Sequence, residues 1–331
     1  MPLSKYLPTR FKQPQLLSPS KKLPTMSEYS LDVVVEGQDP KVDIVFVHGL
    51  GGQKQRTWTR DGIFWPGQLL PTDVPEARIL VFGYDANVVR LDPSNITKAE
   101  LHANADDLCS KLTAERSNVL EVASRPIFIA HSLGGLVTAQ LFNHGEQSAD
   151  DLNAKAIVEK IRGLIFLGTP FRGSVPAGPA ESVRRILQLA GLPTKEDTLK
   201  ELGINSAKTN ELTRAFSNLL NKRKRSDDQI HAFFFYETLS TSLKGKYVQV
   251  VENDSAQLPG CGDPIPVRAD HHNVCKFASK TDDGYKQIVA AIRKCLAPKA
   301  QDGTSGGTWY NNYGQTGNMG PIAGDQHNIF H

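Results

Sequence analysis

Three observations predict an α/β fold built on a mostly parallel sheet. Short apolar, β-branched runs alternate with stretches of helical period, which implies strands in one sheet with helices on both faces. One run, Ile127-Phe128-Ile129-Ala130-His131, leads straight into a serine flanked by small residues and then into a new helical pattern. The 331 residues are 39% hydrophobic and 22% charged, a composition that can bury one large core.

The stretch from Met1 to Ser27 holds no acidic residue, five basic ones and five prolines. Residues 1–30 are expected to be a flexible basic leader, with a mitochondrial presequence as the alternative. Leu31–Val35 and Val42–Val47 are the first strands, separated by Gly37 and Pro40. The second ends in His48-Gly49-Leu50-Gly51-Gly52. Arg78–Gly83 is a third strand. Ala99–Val119 repeats apolar or small residues at Leu101, Ala105, Leu108 and Leu112, the spacing of one helix face. Gly163–Gly168 is another buried strand. Residues 175–228 are predicted to be a helical insertion forming a cap. His231–Tyr236 and Tyr247–Val251 are read as the last two strands, and Tyr285–Leu296 as the final helix, stopped by Pro298. The folded domain is thus placed at 31–298. Residues 299–331 are rich in Gly and Asn, and from Ala300 onward hold no Lys or Arg, which predicts a disordered tail. Its scattered aromatics and amides also fit a segment that stacks with like segments.

The net charge of +3 is too small to point to nucleic acid. Cys109, Cys261, Cys275 and Cys295 form no C-x-x-C pair and no dense framework, so reduced thiols and a cytoplasmic setting are expected. No apolar run approaches the roughly 20 residues that cross a bilayer, and no signal-peptide pattern is present.

Ala130-His131-Ser132-Leu133-Gly134 has the pattern of a nucleophile elbow, a sharp strand-to-helix turn that projects a serine hydroxyl. A neutral hydroxyl needs a base, and the base an orienting acid. With such an elbow both follow later in the chain. His144 is too near the elbow, His231 starts a strand, and His327 and His331 lie in the tail, leaving His271 and His272 as candidate bases. For the acid, Asp254 is preferred over Glu252, which falls on the predicted strand. Glu237, at the end of the preceding strand, is the rival. The N–H groups of Leu50, in the glycine-rich loop, and Leu133, next to the serine, are the candidate oxyanion donors. No metal or organic cofactor is implied.

V-F-V-H-G-L-G-G (45–52), I-A-H-S-L-G-G (129–135), F-L-G-T-P-F-R-G-S (166–174), V-V-E-N-D-S-A (250–256) and A-D-H-H-N-V-C-K (269–276) together resemble the lipase-like α/β-hydrolases. The resemblance is to the serine-active-site-containing and glycosylphosphatidylinositol-inositol-deacylase-like groups, and covers about Leu31 to Leu296. It implies the α/β-hydrolase fold with a helical cap, and an acyl ester or lipid as substrate. It selects His271 over His272, which falls on a variable position, and places Asp254 at the acid position before Ser255-Ala256. The tail is similar in composition to that of fungal SesB-like effectors. This second resemblance implies a NOD-like receptor or self-assembly as partner of residues 301–331. The expected function is therefore a serine ester hydrolase, with peripheral membrane contact as a further expectation. An organellar lipid-remodelling enzyme or a signalling scaffold are the alternatives.

Overall fold

The computed structural model describes residues 27–86, 98–117, 125–148, 150–172, 178–191, 206–224 and 229–297. Nearly all of the basic leader and the whole Gly/Asn-rich tail fall outside these, and with them the partner expected at 301–331. Strands β1 (Leu31–Val35), β2 (Val42–Val47), β3 (Ala77–Phe82), β4 (Ile127–His131), β5 (Gly163–Leu167), β6 (His231–Glu237) and β7 (Pro264–Val267) form one sheet. Its spatial order is β1-β3-β2-β4-β5-β6-β7. β1 runs antiparallel to β3, and every other pairing is parallel. This order, with the serine turn at the end of a central strand, is the α/β-hydrolase fold.

The strands are mostly apolar because both faces of the sheet are covered, and successive residues feed opposite layers. Val45, Leu80, Phe128, Leu164 and Phe234 enter one core. Ile44, Phe46, Ile79, Ile129, Ile165 and Phe235 enter the other. The first layer is completed by α1 (Lys98–Ser117), α2 (Gly134–Gln147), α3 (Leu152–Lys160), α4 (Gly178–Leu189) and α5 (Ser206–Lys224). The second is completed by α6 (Asp283–Leu296) and by Trp58 and Trp65, which meet Phe46 edge to face at 5.0 Å each. A buried ion pair, Arg78 to Asp43 at 2.8 Å, links β3 to β2, and Glu115 on α1 takes Arg78 from the other side at 3.2 Å.

Two sequence expectations are changed by the structure. Tyr247–Val251 is not a strand of the sheet. Residues 246–248 pair only with 241–243 in a two-stranded hairpin, and Val250 and Val251 continue as buried irregular chain. The last strand is Pro264–Val267, pairing with Phe234–Glu237. Two prolines hid it, since they remove ladder donors and are tolerated only at a sheet edge, where β7 lies. Within the predicted insertion, α5 packs Phe216 against Phe142, Phe166 and Phe171, so this helix belongs to the body of the domain. Among the described residues of the insertion, only α4 and the turn after it reach the pocket described below.

Candidate active site

Ser132 follows β4 with a φ of +53°, left-handed for a residue that carries a Cβ. Such a conformation costs about 1–3 kcal/mol and persists only where the surroundings enforce it. Here the Ser132 N–H donates to the Leu167 carbonyl at 2.9 Å, and the Ser132 carbonyl accepts from Gly135 N–H at 3.0 Å. The turn is also crowded. A Cβ on Gly134 would lie 2.3 Å from the His48 carbonyl oxygen, and one on Gly49 would lie 2.7 Å from Ser132 Cβ. Glycine at these two positions lets the His48–Gly52 loop close directly onto the serine.

His271 stands beside it. Its Nε2 is 3.0 Å from Ser132 Oγ, and both side chains are buried. The base predicted after the last strand is thus placed against the serine, while the neighbouring His272 is exposed. The loop carrying His271 is pinned on several sides. Thr241 Oγ1 accepts the His271 N–H at 3.1 Å, Trp65 Nε1 donates to the Cys275 carbonyl at 2.9 Å, and Asp270 accepts the Asn273 N–H at 3.0 Å. His131 Nε2 donates to the His271 carbonyl at 3.0 Å. Burial, followed by the nearby His271, holds the His131 ring well below the usual histidine range, so it stays neutral and acts as a fixed donor.

The carboxylate facing His271 belongs to Glu237, not to Asp254. Glu237 Oε1 lies 3.3 Å from His271 Nδ1, and Glu237 is fully buried. Asp254 sits on an exposed 3-10 turn, where Gln257 Nε2 donates to it at 3.3 Å. The correction follows from the strands. Because 247–251 is not in the sheet, the strand that leads to this carboxylate is β6, and Glu237 is its last residue. Glu252 is likewise turned away, accepting from Arg185 at 3.1 Å. The 250–252 stretch still holds this carboxylate, since the Val251 N–H donates to Glu237 Oε1 at 2.6 Å. Gln249 Nε2 donates to the Glu237 carbonyl at 2.7 Å. A carboxylate accepts only, so Nδ1 of His271 carries the ring proton and Nε2 is left to accept from the serine hydroxyl.

Leu133 caps the N-terminus of α2 and Leu50 lies in the loop closed onto Ser132. Among the described residues, neither backbone N–H has a hydrogen-bond partner. The loop itself is fixed from behind. Tyr84 Oη donates to the His48 carbonyl at 2.7 Å, the two rings stack at 4.6 Å, and burial lowers His48 to about 4. A cavity of about 290 Å³ opens over Ser132 and His271. Leu50, Ile186, Leu189 and Ala190 give it an apolar wall, while Arg56, His272 and Lys276 line another part. The four cysteines are buried and free, and burial pushes Cys275 up to about 12. None is a reactive thiolate.

No family model matches the chain. It is similar to Protein SERAC1 of Danio rerio, 29% identical over 281 residues, and to Protein SERAC1 of Homo sapiens, 28% identical over 280 residues. Each match covers 78% of this chain and 40% of the relative, so the chain spans about two fifths of the curated relatives' length. Among solved structures, the mature Bacillus licheniformis lipase BlEst2 is 15% identical with a TM-score of 0.47, covering 80% of this chain and 97% of that one.

Two residues near Ser132 escaped the sequence reading. His131 resembles any last residue of a strand, and its donor role depends on a loop 140 positions away. Gly168, at φ +58°, lies where a Cβ would stand 3.2 Å from both Glu237 Oε2 and His271 Nδ1. Its only sequence trace is a glycine ending a strand.

Proposed function

We infer that the chain is a serine hydrolase of carboxylic esters, with Ser132 as nucleophile, His271 as base and Glu237 as the orienting acid. The observation that carries this reading is the continuous line from Ser132 Oγ through His271 to Glu237 Oε1, with spacings of 3.0 and 3.3 Å. As Ser132 attacks the ester carbonyl, its proton passes to His271 Nε2, and the imidazolium formed is stabilised by Glu237. The Leu50 and Leu133 N–H groups receive the oxyanion. His271 then protonates the departing alcohol, leaving an acyl-serine. Water, deprotonated by the same nitrogen, releases the carboxylic acid.

The apolar wall of the cavity supports an acyl chain as one half of the substrate, and lipid esters as the narrower class. Arg56 and Lys276 support an alcohol half bearing negative charge. A fluorophosphonate probe tests the chemistry, because it phosphonylates only an activated serine. It labels the wild-type chain and leaves S132A unlabelled; equal labelling of both, or of neither, overturns the reading.

A further inference from the structure

A second cluster of reactive side chains joins the outer helices α1 and α2. His102 and Asp106 stand one turn apart on α1, four positions from each other and so on one helix face. His144 comes from α2, with its ring centroid 5.0 Å from that of His102. One ring nitrogen from each histidine and one carboxylate oxygen of Asp106 lie within 4.8 Å of one another. His102 Nε2 and Asp106 Oδ2 are 3.5 Å apart. The surroundings hold the ligands in place. Gln140 on α2 meets His102 Nδ1 at 3.3 Å, so its amide can donate there and leave Nε2 as the nitrogen that faces Asp106. Asp151 accepts from His144 Nε2 at 2.9 Å. The same carboxylate is fixed by the Asn153 and Ala154 N–H groups at the start of α3.

We propose that His102, Asp106 and His144 form a binding site for a divalent transition metal of the zinc class, clamping α1 to α2. Two imidazoles and one carboxylate are a ligand set that suits Zn²⁺, with water completing a tetrahedron. Only small side-chain shifts are required, since ligand atoms on one zinc ion at about 2.0–2.2 Å lie closer together than the present spread. Asp151 supplies the outer carboxylate that commonly orients a ligating histidine and raises its basicity. His144 then binds through Nδ1, whose present partner is the Ser148 hydroxyl at 3.1 Å, a group able to rotate away. The site is independent of the hydrolytic reading, as none of its members lines the Ser132 cavity.

The test is zinc chloride titrated into the untagged full chain, read by calorimetry and by thermal melting. The wild type takes up one Zn²⁺ per chain at this site and its melting temperature rises. H102A and D106A each bind at least about tenfold more weakly and lose the thermal shift. D151N, which keeps an acceptor for the helix cap, weakens binding by about 10–100-fold. H271A binds as the wild type does. Asp106 is half exposed, so D106A decides the matter should H102A fail to fold. Undiminished zinc uptake in D106A, uptake lost in H271A instead, or no uptake by the wild type overturns the proposal.

Discussion

Glu237 Oε1 is shared between His271 Nδ1, at 3.3 Å, and the Val251 N–H, at 2.6 Å. The backbone of a segment that follows β6 thus aims the carboxylate that ends it. Glu237→Gln keeps the shape but presents an amide, which removes the acceptor's charge and favours the wrong histidine tautomer. In a comparable dyad the loss in kcat is about 10⁴-fold. Asp254→Asn, on an exposed turn, leaves kcat unchanged. Steady-state hydrolysis of a chromogenic short-chain ester separates the two; equal loss from both variants would contradict the assignment to Glu237.

The contrast between these residues also shows how far the sequence could be followed. The places of Ser132, Leu50 and Leu133 are legible because they are set locally, by a strand, a tight turn and a glycine loop. His271 is legible by elimination and by resemblance. The acid is not, since its identity depends on which segment pairs with β6. Tyr247–Val251 has the composition of a strand, yet Pro264–Val267 holds the edge position. Pairing partners are long-range facts, and two prolines mask the true edge strand from any reading by propensity.

Gly168 permits a prediction that separates backbone strain from crowding at the site. Alanine there meets both the left-handed φ and contacts of 3.2 Å with Glu237 Oε2 and His271 Nδ1. Gly62 has a φ of +77° with nothing within 4 Å of a built Cβ. Both substitutions are expected to cost about 1–2 kcal/mol of stability, measured by urea unfolding. Only Gly168→Ala pushes the acid and base apart, and a displacement of the order of 1 Å lowers kcat about 10²-fold. Full activity in Gly168→Ala would show that the contacts relax harmlessly.

His48 and His131 make stability depend on pH in a defined window. Burial holds both below 6.5, His48 at about 4 and His131 well below 6.5. Between 6.5 and about 4 the unfolded chain binds protons that the folded chain refuses, so stability falls as pH drops. Each group contributes a slope approaching about 1.4 kcal/mol per pH unit. His131→Gln retains a donor for the His271 carbonyl and removes one titrating ring. Its urea-unfolding free energy should decline less steeply below pH 6.5 than that of the wild type. Parallel curves for the two proteins would refute the buried, neutral state of His131.

Arg56 and Lys276 lie at the cavity over Ser132, and among the described lining residues there is no carboxylate to offset them. An ester with a negative charge on its alcohol half is therefore drawn in by an interaction that a neutral ester lacks. Arg56 is exposed and Lys276 half-buried, so each charge contributes at most about 1 kcal/mol. Arg56→Ala or Lys276→Ala should lower kcat/KM for the charged ester by about two- to fivefold, chiefly through KM, and leave the neutral ester unaffected. Added salt reproduces the effect in the wild type, because screening at about 8–10 Å already weakens exposed charges at physiological strength. If charged and neutral esters respond alike to the substitutions and to salt, the cations serve the fold rather than the choice of substrate.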